Sequence, residues 1–136
     1  MILIGNGRLI TRNPAFPFAS DGAVAIDGTT VKEVGTTPEL KEKYKTAEYI
    51  DAKGGVIMPA FINTHEHIYS AMARGLSIKG YNPKGFLDVL DGQWWTIDRH
   101  LTPEQIKYSA IDTFISSIRS GVTTVFDHHA SFGHIQ

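Results

Sequence analysis

The chain contains no cysteine among its 136 residues. Disulfides and thiolate metal sites are therefore excluded, and any bound metal has to be held by His, Asp or Glu. A strong charge of either sign is also missing. Lys and Arg number 13 against 14 Asp and Glu, which gives no electrostatic reason for nucleic acid or an anionic membrane as partner. No apolar run approaches the roughly 20 residues that cross a bilayer. The opening Met1-Ile2-Leu3-Ile4-Gly5-Asn6-Gly7 has no basic segment and only a very short apolar stretch. No secretory signal is expected there, and a cytoplasmic protein is the expectation. Internal repeats and low-complexity tracts are absent. What remains is a composition ordinary for a globular protein, 42% hydrophobic and 20% charged, in a chain long enough to bury a core.

Turn signals divide the first part into short strands. Ile2 to Ile4 and Arg8 to Thr11 flank Gly5-Asn6-Gly7, whose Asn-Gly pair favours a tight turn. Asn13 to Gly22, with Pro14 and Pro17, is expected to be a loop. Ala23 to Ile26 and Thr30 to Val34 then form a hairpin about Asp27-Gly28. Thr37-Pro38-Glu39-Leu40 predicts a helix start with Thr37 as cap, ending near Tyr44 or Lys45. Tyr49 to Asp51 and Val56 to Met58 are further strands around Lys53-Gly54-Gly55. The whole opening reads as a small antiparallel β unit.

The pattern changes after Pro59. Ile68 to Ala73 predicts a helical turn or two, Ser77 to Gly85 a long loop, and Phe86 to Ile97 a helix carrying Trp94 and Trp95. Thr102-Pro103-Glu104-Gln105 is a capping box with Pro at the first helical position. Ile106, Ala110, Phe114 and Ser117 or Ile118 follow at helical spacing, and Gly121 closes the helix as a left-handed residue. The apolar strand Val122 to Phe126 comes at once and ends in Asp127-His128-His129. Helix, glycine and buried-type strand in that order mark a β/α unit of a parallel sheet.

The most informative segment is Thr64-His65-Glu66-His67, directly behind the apolar run Val56 to Asn63. Side chains alternate faces on an extended backbone, so His65 and His67 point together and Glu66 points away. Two imidazoles projecting from a strand end form half of a transition-metal site, and a divalent metal there lowers the pKa of a bound water to about 7. Two histidines on a strand face often only hydrogen-bond, so the spacing alone is a weak signal.

Gly54 to His67 resembles the first barrel strand of the amidohydrolase superfamily. The segment Asn6-Gly7-Arg8-Leu9-Ile10-Thr11 is similar to the start of that superfamily's small composite β domain, and Gly121 to His129 is similar to its second barrel strand. With Ala73-Arg74-Gly75-Leu76 and Trp94-Trp95, the chain is most similar to the aminohydrolases associated with selenium-dependent purine metabolism, near the guanine deaminases and chlorohydrolases. The resemblance implies an α/β fold: the start of a (β/α)₈ TIM-type barrel over residues 58–136, preceded by part of a small β-sandwich domain over residues 1–57. Two of eight barrel strands leave an open edge and an uncovered apolar face.

The resemblance also implies one divalent metal ion, zinc or iron, held by His65 and His67 together with His and Asp ligands from later strands. The acid/base Glu is expected beyond Gln136. Ala60 stands where the family usually has Gly, a position at which positive φ is preferred. The implied reaction is hydrolysis of a carbon–nitrogen bond other than a peptide bond. It would remove an amino group from a purine-like or related heterocycle by metal-bound hydroxide. Amide, ureide or halide hydrolysis at the same site stays open, because fold does not decide substrate. So does a truncated, non-catalytic chain that binds metal and needs a partner polypeptide. The partner expected is a small-molecule substrate, without nucleic acid or membrane, in a homo-oligomer at full length.

Further residues have two readings each. His128 and His129, at the end of a parallel strand, either line the substrate pocket or bond backbone and water. Trp94 and Trp95 offer flat faces for a heterocycle or pack the helix. Arg74 contacts substrate, clamps a loop or is a solvated cation. Asp127 reads as structural, His100 as a surface residue, and His134 lies too near the end to read.

Overall fold

The computed structural model describes residues 1–131 and 133. Its chain forms two compact units, Met1–Pro59 and Ala60–Gln136. His134 lies outside the described residues. Among the described residues no helix is long and apolar enough to cross a membrane.

The first unit is a five-stranded mixed sheet with one helix. Strands β1 (Ile2–Ile10), β2 (Phe18–Asp27) and β3 (Thr30–Thr36) run antiparallel in the order β3-β2-β1. Helix α1 (Thr37–Lys43) then carries the chain over to β4 (Glu48–Asp51), and β4 and β5 (Val56–Ile57) both pair with β1 in parallel. An entirely antiparallel unit was expected. A helix between β3 and β4 returns the chain to the far edge in the same direction as β1, which is how parallel neighbours arise.

Three local expectations also change. Gly5-Asn6-Gly7 is no turn but a bulge within one continuous strand, with Asn6 at φ 57 and a register shift between Ile4 and Gly7. Its amide donates to Thr37 Oγ1 at 2.9 Å and its side-chain NH₂ to Asp51 Oδ1 at 2.7 Å. Phe18 to Gly22, expected in a loop, is the first half of β2, paired with the end of β1. The helix cap is Thr36 rather than Thr37: Glu39 Oε2 accepts from both the amide and the hydroxyl of Thr36. Thr37 is instead buried, and its hydroxyl donates to the Gly22 carbonyl at 3.0 Å. The Asp27-Gly28 hairpin forms as expected, with Gly28 at φ 60. The core is Leu3, Ala23, Ala25 and Leu40, flanked by Tyr44, Ala47 and Tyr49.

The second unit holds β6 (Phe61–Glu66) and β7 (Val122–Asp127), paired in parallel. Between them come a 3₁₀ turn at Ile68–Ala73, a loop, and a helical stretch. That stretch comprises α2 (Phe86–Val89), a π turn at Leu90–Trp94 and α3 (Trp95–His100), and α4 (Pro103–Arg119) follows. Thr102 caps α4 in the expected box with Gln105, and Gly121 follows at φ 76. Ala60 is not among the left-handed non-glycine residues, which are Asn6, Arg12 and Lys53 among the described residues. The Gly-to-Ala departure therefore introduces no backbone strain.

The inward face of α4 differs from the expected stripe. Ser109 and Thr113 are buried, while Phe114 and Ile118 are exposed. The helix packs on the 3₁₀ turn, where the Met72 amide finds its acceptor in Ser109 Oγ at 3.2 Å. A buried hydroxyl at that contact satisfies a donor that an apolar residue would leave orphaned.

Candidate metal centre

His65 is the penultimate residue of β6, and His67 begins the step out of the strand at φ −127, ψ 72. The alternation expected from an extended backbone is kept across this step. His65 Nε2 and His67 Nε2 stand 3.3 Å apart, with the rings edge to face. Both residues are exposed.

Strand β7 sets the tautomer of His67. Its Nδ1 lies 2.7 Å from the His128 carbonyl oxygen. A carbonyl can only accept, so Nδ1 carries the proton and Nε2 keeps its lone pair. The pairing that holds β7 beside β6 ends in a bond from the His128 amide to the Glu66 carbonyl at 2.8 Å. The His128 peptide is thereby anchored on one side while it orients His67 on the other.

The pair meets the geometric requirement of a shared metal. Two nitrogens about 2.0–2.1 Å from a tetrahedral zinc are about 3.3–3.4 Å from one another, and the observed separation is 3.3 Å. Without metal, the same distance suits one N–H···N bond from His65 to His67. Among the described residues no group of three or more His, Asp or Glu converges on one point. His65 and His67 thus offer two imidazole nitrogens at metal-compatible spacing, without a third such group beside them among those residues.

The neighbours of the pair divide into three groups. The His128 ring packs edge to face on His65, 4.3 Å between centroids. Asp127, read from sequence as structural, holds the opposite side. Its Oδ1 accepts the Ile68 amide at the head of the 3₁₀ turn at 2.9 Å, and its Oδ2 lies 3.1 Å from His129 Nδ1. His129 is turned inward against the Tyr69 ring at 4.7 Å, and its buried Nε2 has no partner among the described residues. Tyr69 is buried and donates to Asp98 Oδ1 at 2.8 Å. Burial first, and then the bond to Asp98, push its hydroxyl pKa far above the ordinary tyrosine value.

A cavity of about 490 Å³ lies on the Glu66 side, lined among others by Glu66, His67, Arg74, Trp94, Thr113 and Ser117. Of the expected pocket residues, Arg74 reaches this wall, but its guanidinium is paired with Asp112 on α4 at 2.8 Å. Trp94 lines the cavity, whereas Trp95 is exposed and takes no part in it. The π turn decides which indole faces in, since it shifts the helical phase by a residue, and no sequence signal marked it. Asn63 was passed over in the sequence. Its position two residues before His65 is the signal that finds it, because an Asn side chain readily accepts from the amide two residues on. His100 is exposed, as expected.

The pattern of the amidohydrolase family matches residues 56–134. The chain is 27% identical over 134 residues to a 5-methylthioadenosine/S-adenosylhomocysteine deaminase of Pelotomaculum thermopropionicum, covering 98% of this chain and 30% of that protein. It is 29% identical over 126 residues to a 5′-deoxyadenosine deaminase of Methanosarcina mazei, covering 93% and 27%. Among solved structures it is similar to the zinc complex of atrazine chlorohydrolase TrzN from Arthrobacter aurescens. The TM-score is 0.76 at 28% identity, over 95% of this chain and 29% of that one. The chain thus spans less than a third of the length of these relatives.

Proposed function

Because the chain belongs to the amidohydrolase family, we propose that the whole protein is a metal-dependent hydrolase of carbon–nitrogen bonds other than peptide bonds, a deaminase of a purine-like heterocycle. The observation that carries this is the pair of imidazole nitrogens 3.3 Å apart at the end of β6, with the His67 tautomer set by the end of β7. In this reading β6 and β7 are the first two strands of a (β/α)₈ barrel, where sites lie at the C-terminal strand ends. The first unit, residues 1–57 in the sequence reading, is then part of a small β-sandwich domain.

His65 and His67 would hold the metal through Nε2. When bound, the ion supplies Lewis acidity, bringing the pKa of a water ligand to about 7. The chain's own residues do the positioning. The His128 carbonyl keeps the proton of His67 on Nδ1, and the His128 ring, just past β7 and against His65, is placed to meet a substrate. His129 joins it if its free Nε2 takes a substrate donor. Arg74, tied to Asp112, and the exposed Trp95 have weaker support as substrate contacts. Zinc is favoured over iron by the zinc-bound chlorohydrolase relative. A nucleoside-type substrate is favoured by the deaminases of deoxyadenosine and methylthioadenosine type. Assembly as a homo-oligomer belongs to the same proposal.

Halide displacement at the same site is the second reading, favoured by the fold likeness to an atrazine chlorohydrolase. The test is to substitute His65→Ala and His67→Ala in the full-length protein. Zinc content and ammonia release from adenosine-type nucleosides are then measured, with chloride release from chlorotriazines in parallel. The expected result is loss of both metal and ammonia release. Turnover indifferent to both substitutions would end the metallohydrolase reading, and chloride release without ammonia release would select the second one.

A further inference from the structure

The regular β6–β7 pairing breaks between Asn63 and Glu66, the stretch that carries His65. His67 lies beyond the strand end. The His65 backbone therefore stands in a gap of the regular pairing, and the next interstrand bond is that of the His128 amide to the Glu66 carbonyl. Side chains of the same segment add three further bonds. The His65 amide donates to Asn63 Oδ1 at 3.2 Å, Asn63 Nδ2 donates to Glu66 Oε2 at 2.8 Å, and the His67 amide donates to Glu66 Oε1 at 3.1 Å. Each donor meets its own acceptor, and both Glu66 oxygens are used.

We propose that Asn63 and Glu66 are positioning residues: a side-chain bracket that fixes the His65 and His67 peptides so that their Nε2 atoms keep the spacing of a shared metal. The inference rests on the metal-site reading above and deepens it. It explains a carboxylate between two metal-facing histidines that does not itself turn toward the metal. It also explains why that residue is an acid. Both of its contacts come from N–H donors, so both oxygens must accept. Glutamine offers one acceptor and one donor, and whichever way its amide turns, one of the two N–H groups faces another donor.

This donor and acceptor arithmetic supplies the test. Glu66→Gln breaks one bond of the bracket at constant shape. Asn63→Asp sets two carboxylates against each other. The double exchange, Asn63→Asp with Glu66→Gln, rebuilds all three bonds, the one between the two side chains with its polarity reversed, and leaves the net charge unchanged. Zinc affinity of the full-length apoprotein is measured by competition with a chromogenic chelator, with circular dichroism as the check on folding.

Each single substitution is expected to weaken zinc binding by about 10- to 100-fold, the range for groups that orient metal ligands. The double exchange is expected to return to within about threefold of the parent protein, the mark of direct coupling. Single variants that bind zinc like the parent would overturn the bracket, as would a double variant whose loss equals the product of the single losses. Should a single variant fail to fold, the double exchange alone decides: near-parent affinity supports the bracket, and a loss of tenfold or more overturns it. Zinc binding that survives His65→Ala and His67→Ala overturns the metal reading and the bracket with it. Binding that needs both histidines yet ignores Asn63 and Glu66 overturns the bracket alone.

Discussion

At Gly22 the backbone of β2 passes so close to β1 that a Cβ built there would stand 2.2 Å from the Leu9 Cβ. The position has no need of positive φ, so the glycine is there for space. Gly22→Ala must push the two strands apart, and destabilisation of about 1–3 kcal/mol is expected, as for other overpacked cores. Urea unfolding of the full-length protein measures it, and an unchanged midpoint would refute the close approach. The same dependence on three-dimensional neighbours limits how far single residues could be read from sequence. His65 and His67 were legible because a two-residue period needs only an extended backbone. The inward turn of His129 onto Tyr69, the pairing of Arg74 with Asp112 and the burial of Thr37 were not, since each partner is remote in the chain.

Among the elements, α4 was the most legible, because its cap, its first-turn Pro and its closing Gly each act within a few residues of the helix end they mark. Its buried face was not. Helical spacing matched a stripe through Phe114, but the packing partner is a 3₁₀ turn with a backbone donor to satisfy, and Ser109 faces it. Strand β3 and helix α1 are tied by Glu33, which accepts from Lys43 Nζ at 2.6 and 2.9 Å and from the Tyr44 hydroxyl at 2.6 Å. The Lys43 bond first, then that of Tyr44, holds the Glu33 carboxyl below its ordinary value. A lowered folded pKa contributes stability that is complete above the unfolded value of about 4.3 and is lost as pH falls through the folded one. Glu33→Gln should therefore flatten the acid limb of the stability profile below about pH 4.5 while leaving its shape near neutrality unchanged. Parallel acid limbs for the two proteins would show that the tie carries no pH dependence.

On the scale of the whole molecule, the second unit leaves much apolar surface in water. Phe61, Ile62 and Phe126 on the two strands are 55%, 65% and 64% exposed, and Ile118 on α4 is 74% exposed. The 136-residue chain made by itself should associate through these faces. With two imidazoles and, among the described residues, no carboxylate ligand placed beside them, it should lose zinc on dialysis against chelator and turn over no substrate. A well-behaved monomer with cooperative unfolding, or stoichiometric zinc together with turnover, would contradict this. The sequence by itself determined the α/β character, the strand and helix that local periodicity and caps encode, and the common direction of His65 and His67. Those depend on backbone geometry within a few residues. The tertiary structure alone decided the mixed sheet of the first unit, the bulge at Asn6, the indole that faces the cavity, and the His128 carbonyl that sets the His67 tautomer. The sheet, the bulge and the carbonyl are contacts between segments far apart in the chain, chosen by which donors and surfaces remain to be satisfied once the elements have met, and the indole follows from a helical phase shift that no sequence signal marks.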